Sequence, residues 1–139
     1  MAACNTTTGK VLEEMIEPVL RRAGYHYVAQ YPVGQRPDGK PYRADLVILE
    51  PRRIVISLKW QQVGGTAEEK VPFELMTLAY LVHQGKCEKA YLVLGGTGWS
   101  PRLREFYLRG GVRQFFVLPS EVELVSLEDF VAQVNKGGL

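Results

Sequence analysis

Asp45-Leu46-Val47-Ile48-Leu49 and Ile54-Val55-Ile56-Ser57-Leu58-Lys59 are two strongly apolar runs, and how they pair decides the fold. Runs of β-branched and aliphatic residues read as buried strands. Each run also carries a charge, one carboxylate and one ammonium. Such groups are costly to bury unless they are paired or bind a ligand. Two adjacent buried strands that each keep one charge therefore point to a site rather than to plain core. Glu50-Pro51-Arg52-Arg53 between them reads as a turn, with Pro51 suited to its first central position.

Pairing follows from alternation. Arg53, Val55, Ser57, Lys59 and Gln61 share one face of the second run, and Ile54, Ile56, Leu58 and Trp60 share the other. A two-residue loop would pair Asp45 with Leu58 and turn it to the wrong face. A loop with an odd residue count, or a bulge, sets Asp45 beside Ser57 and Lys59. A shared site requires the second arrangement.

Outward from this pair, Thr8 is the expected N-cap of a helix from about Gly9 to Ala23. Its apolar stripe is Leu12, Ile16, Val19, Leu20 and Ala23. Pro18 is expected to kink it, and Gly24 to end it. Residues 1–8 read as a frayed start. Tyr25 to Val33 reads as a strand and residues 34–41 as a loop. After Val63-Gly64-Gly65, Thr66 and Glu69 form a capping box that opens a helix running past Pro72 to about Gln84. Ala90 to Leu94 is a buried strand, Pro101 to Arg109 helical, Gln114 to Leu118 a strand, and Leu127 to Asn135 a last helix. The expected order is α-β-β-β-α-β-α-β-α, with no repeat or linker.

Composition sets bounds. With 139 residues the chain is expected to be one domain, 1–139, long enough to bury about two-thirds of its unfolded surface. A formal charge of +2 permits nucleic-acid binding without arguing for it, so any footprint must be a local patch of Arg and Lys. Cys4 and Cys87 form neither a metal spacing nor a disulfide framework, and His26 and His83 stand alone. No apolar run reaches the roughly 18 residues of a membrane span, and no secretory signal is visible. The expected location is cytoplasmic.

Four stretches resemble the PD-(D/E)XK nuclease superfamily. Arg43-Ala44-Asp45 resembles the first half of its motif, with Ala44 in place of proline. Ser57-Leu58-Lys59 resembles the second half, with Ser57 where the acid usually stands. Gln61 follows the lysine by two residues, as in many members. Gly65 to Lys70 resembles a segment of restriction-type members. Upstream, Gly9 to Glu13 and Leu20 to Tyr25 resemble the family's first helix, with Glu13 at its glutamate position. The likeness covers roughly the first two-thirds of the chain.

The resemblance implies a mixed central sheet flanked by helices, α/β, with the restriction-endonuclease-like α-β-β-β-α-β core. It implies a Mg2+- or Mn2+-dependent DNA endonuclease of a restriction, repair or mobile-element system. Asp45, the backbone carbonyl of Leu58 and Glu13 would hold the metal, and Lys59 would orient the attacking water. Gln61 would hydrogen-bond water or phosphate. Glu69 or Glu74 on the following helix would supply the acid missing at Ser57. Arg43 and Lys70 are candidate DNA contacts. Specificity would come from a homodimer or a partner protein. Two rival readings stand beside this one. A catalytically silent relative would bind DNA or protein. A nucleotide-binding α/β domain would use Gly95-Gly96-Thr97-Gly98, although that loop lacks the Gly-Lys-Ser/Thr ending. Trp99 beyond the loop is expected to be buried rather than to stack on a base.

Overall fold

The computed structural model describes residues 8–139. The frayed start expected over residues 1–8 lies, Thr8 apart, outside the described residues. Helix α1 spans residues 8–22, so Thr8 is already helical rather than an N-cap. Its middle, Leu12–Ile16, winds as a π-helix before regular Glu17–Arg22, and the Glu17 N–H bonds the Leu12 carbonyl. This wide turn lies directly before Pro18, whose ring has no N–H for an ordinary helical bond. The expected kink is thus a local change of winding. Gly24 ends the helix at φ 87°, with Tyr25 N–H on Leu20 O and Gly24 N–H on Arg21 O. Those two bonds form a Schellman cap, which favours glycine at the left-handed position.

Strands β1 (His26–Gln35), β2 (Pro41–Glu50) and β3 (Ile54–Trp60) form an antiparallel meander. Helix α2 (Ala67–His83) then crosses to β4 (Lys89–Gly95), and α3 (Pro101–Leu108) crosses to β5 (Val122–Ser126), both strands parallel to β3. Helix α4 (Leu127–Asn135) closes the chain. The spatial order is β1-β2-β3-β4-β5, a mixed five-stranded sheet. One face packs Leu46, Ile48, Ile54, Ile56, Tyr91 and Val93 against α1 and α4. The other packs Val47, Val55, Leu92 and Leu94 against Val71, Leu75 and Leu78 of α2. With helices on both faces, the central strands read as continuous apolar runs.

Two further expectations are corrected. The stretch Gln114 to Leu118 is no strand. Gly111–Gln114 is a 3-10 turn, and Phe115, Phe116 and Val117 beyond it are exposed. The fifth strand is Val122–Ser126, after Pro119 and Ser120, and its Ser126 Oγ caps α4 by accepting from the Asp129 N–H. The Thr66–Glu69 capping box also does not form. Thr66 makes no side-chain cap, and the first-turn N–H of Ala67 bonds Gln61 Oε1 at 2.9 Å instead.

Pro72 lies inside α2 and leaves the Glu68 carbonyl, four residues back, without its helical donor. The Tyr107 hydroxyl of α3 donates to that carbonyl at 2.7 Å. The proline therefore ties α3 to α2 instead of breaking the helix.

Candidate active site

The β2–β3 ladder pairs Ile48 with Ile54, Val47 with Val55 and Leu46 with Ile56, leaving residues 49–53 as the loop. That count is odd, and one further step sets Asp45 opposite Ser57. There the ladder stops. The Leu58 N–H donates to Asp45 Oδ2 at 2.7 Å, so a side chain takes the place of a strand carbonyl. The β1 side is irregular at the same level. Gln30, the β1 residue at the level of Asp45, has φ 51°, and its carbonyl accepts from Arg43 Nη1 at 2.7 Å. Alternation shifts across this kink. Tyr42 and Ala44 join the α2-side core, whereas Leu46 and Ile48 face α1. Asp45 thus lies in a fork between diverging strands.

Burial pushes the Asp45 carboxyl above its ordinary range. The Leu58 N–H and the Lys59 ammonium pull it back in part, and the charge of Glu74 pushes it up further. The two carboxylates therefore feel each other.

Of the two acids named as substitutes for the one missing at Ser57, Glu74 reaches this place. Its Oε2 accepts from the Ser57 hydroxyl at 2.7 Å and from the Tyr42 hydroxyl at 2.7 Å. Its Oε1 lies 3.7 Å from Lys59 Nζ. Burial beside Glu74 holds the Tyr42 hydroxyl well above the usual phenol range. Glu69 is exposed on the first turn of α2.

A groove of about 840 Å³ opens over Asp45, Leu58 and Lys59. Thr8, Gly9 and Leu12 of α1 line one side, and residues 62–67 with Lys70 line the other. Glu13 is exposed on α1, next to the helix residues that face the groove but not among them. Lys70 is exposed at its rim. Arg43 is exposed on β2, with one guanidinium nitrogen bonded to Gln30.

Gln61 also lines the groove, yet its amide is engaged. Nε2 donates to Glu68 Oε1 at 3.0 Å and to Gly98 O at 2.9 Å, while Oε1 accepts from Ala67. It braces the chain between β3 and α2. Sequence reasoning missed Tyr42 and Glu68. Tyr42 carried no signal beyond its place in an alternating strand. Glu68 is bonded by the Ser100 N–H and hydroxyl at 2.7 and 2.9 Å, which holds its carboxyl below the usual range. It ties the start of α3 to α2 through Ser100.

The Gly95-Gly96-Thr97-Gly98 loop has a packing role. A Cβ on Gly96 would sit 2.3 Å from Gln61 O, and one on Gly98 would sit 2.4 Å from Val63 N. These glycines let two backbones touch, which accounts for them without a phosphate. Trp99 is buried, as expected, and its Nε1 donates to Gly95 O at 2.7 Å.

Among the described residues no three His, Cys, Asp or Glu side chains cluster as a metal cage. The donors at the fork are two neighbouring carboxylates, Asp45 and Glu74. Mg2+ suits such a set, because it takes one or two protein carboxylates and keeps several waters.

Compared with known proteins, the chain matches the family model described as a PD-(D/E)XK nuclease superfamily domain over residues 4–138. No curated protein matches it significantly. Among solved structures it is similar to a protein of unknown function, at 13% identity and TM-score 0.49, over 94% of this chain and 65% of that one. It is also similar to the small subunit of a heterodimeric restriction endonuclease, at 17% identity and TM-score 0.43, over 95% of this chain and 77% of that one. The chain thus spans 65% of the first of these structures.

Proposed function

The chain belongs to the PD-(D/E)XK nuclease superfamily, and from that premise we propose that it is a divalent-metal-dependent DNA endonuclease. One observation carries the reading. Asp45, Leu58 and Lys59 line one groove at a fork in the sheet, and Glu74 lies behind them, with Oε1 3.7 Å from Lys59 Nζ.

Asp45 and Glu74 would hold Mg2+ or Mn2+, with the Leu58 carbonyl between them. N–H and C=O of one strand residue point to the same side, and the Leu58 N–H already points to Asp45. The bound cation would supply charge neutralisation at the scissile phosphate. Lys59 would orient the attacking water and stabilise the negative charge that develops during attack. Glu13 would reach the site from α1 through water. Gln61 would hold the groove wall, and Lys70 and Arg43 would touch the DNA backbone. The enzyme would act in the cytoplasm, with sequence selection left to a second copy or a partner protein.

Ser57, where the family places an acid, favours a second reading as a silent DNA- or protein-binding relative. Incubation with supercoiled plasmid and Mg2+ or Mn2+ separates the two. We expect nicking that Asp45→Asn and Lys59→Ala each reduce by at least about 100-fold, the scale of losing one electrostatic contributor. Nicking that survives both changes would mean that another site, or a contaminant, cuts. DNA binding without nicking would support the silent relative.

A further inference from the structure

We propose that Tyr42 and Ser57 are positioning residues that hold Glu74 beside Lys59, at the edge of the metal-binding groove. The inference rests on the nuclease reading and specifies how its unusual acid works. Both hydroxyls donate to the same oxygen, Oε2, at 2.7 Å each. Both residues are buried, Tyr42 at 7% and Ser57 at 2% exposure. The other oxygen, Oε1, is the one nearest Lys59 Nζ, at 3.7 Å. A glutamate on a helix has several rotatable bonds and can turn its carboxylate many ways. Two charge-assisted hydrogen bonds to one oxygen remove that freedom and leave the second oxygen on the side of Lys59, which lines the groove.

This arrangement explains Ser57 itself. A carboxylate at position 57 would sit within hydrogen-bond reach of Glu74, and two such like charges resist ionising together. Serine removes the conflict and supplies a donor. The strand position and the helix position have exchanged roles, so that the acid comes from α2 and the strand holds it. Tyr42 supplies the second donor from the part of β2 beyond the fork, where β3 no longer pairs.

Mn2+ titration calorimetry on the full chain tests this without relying on cleavage. Tyr42→Phe and Ser57→Ala should each weaken Mn2+ binding about ten-fold, the effect of losing one hydrogen bond to a charged group. Ser57→Thr keeps the hydroxyl and should bind within about three-fold of the wild type, at most about half of that loss in free energy. The exchange Ser57→Asp with Glu74→Ser should restore binding relative to Glu74→Gln. Adding Tyr42→Phe to the exchange should then change nothing. Circular dichroism confirms that each variant folds.

If Glu74→Gln abolishes binding but Tyr42→Phe and Ser57→Ala leave it intact, the positioning role is overturned and the nuclease reading stands. If Glu74→Gln binds Mn2+ like the wild type, Glu74 is not a ligand and the positioning role falls with it. If the wild type binds no Mn2+ at all, the metal-dependent reading fails as well.

Discussion

Asp45 is held where a carboxylate loses much of its hydration, with one N–H bond from Leu58 as direct compensation. Its pKa is raised from the ordinary 3.8 chiefly by burial. A carboxyl with a raised folded pKa binds its proton more tightly in the native state. The stability this brings is fully present below the unfolded pKa and is lost as pH rises through the folded one. At neutral pH the metal-free protein therefore bears a cost at Asp45 that a bound cation would relieve. Asp45→Asn keeps an acceptor for the Leu58 N–H and removes the charge. In EDTA at pH 7 we expect this variant to be more stable than the wild type, because no charge is then held in the buried position. The gain should shrink as pH falls toward 4. Mg2+ should raise the Tm of the wild type but not that of the variant. Scanning calorimetry at several pH values checks all three points. A less stable variant at pH 7 would show that the Asp45 charge contributes to the fold itself.

At the scale of elements, the turn from β4 to α3 is bound to the end of β3 by backbone contact. Gly96, at φ 95°, has no room for a side chain beside Gln61 O. Gly96→Ala should cost roughly 2–4 kcal/mol, combining left-handed strain with a clash against backbone. The loss should appear as a lower urea midpoint with an unchanged slope. Nucleotide or phosphate that stabilised the wild type but not this variant would revive the phosphate-loop reading. The contrast with β3 shows what was legible in the chain. The register of Asp45 and Ser57 was readable as a condition, because side-chain alternation requires an odd loop or a bulge to join them. The helix end at Gly24 was readable because a Schellman cap favours a residue of glycine's freedom. The fifth strand was not. Phe115-Phe116-Val117 is more apolar than Val122-Glu123-Leu124-Val125, and burial decides apolar strands only once a parallel neighbour exists. The Pro119-Ser120 turn before it and the Ser126 cap after it were the available signals. Glu74 was one of two acids on the same helix, and its contacts with Tyr42, Ser57 and Lys59 separate it from the exposed Glu69.

At the scale of the molecule, charge limits what this chain can do to DNA alone. The formal charge is +2, from 17 basic and 15 acidic residues. Several basic groups are engaged within the protein. Arg36 pairs with Asp38, Arg109 with Glu105 and Lys89 with Glu123, and Arg113 donates to the carbonyls of Leu118, Pro119 and Val122. The cations named at or near the groove are Lys59, Lys70 and Arg43. Neutralising about three phosphates predicts a plot of log affinity against log salt with slope near −3, at about −0.9 per phosphate. A complex that places two copies on one duplex doubles the contacts and steepens the slope toward about −5. Fluorescence anisotropy with Asp45→Asn and a labelled duplex measures this without cleavage, and sedimentation at the same concentrations counts the copies. We expect the shallow slope for one copy, weak affinity at physiological salt and little preference among sequences. A single copy that bound one sequence tightly with a steep slope would mean that residues remote from the groove read the DNA. The role given to a second copy or partner would then fall.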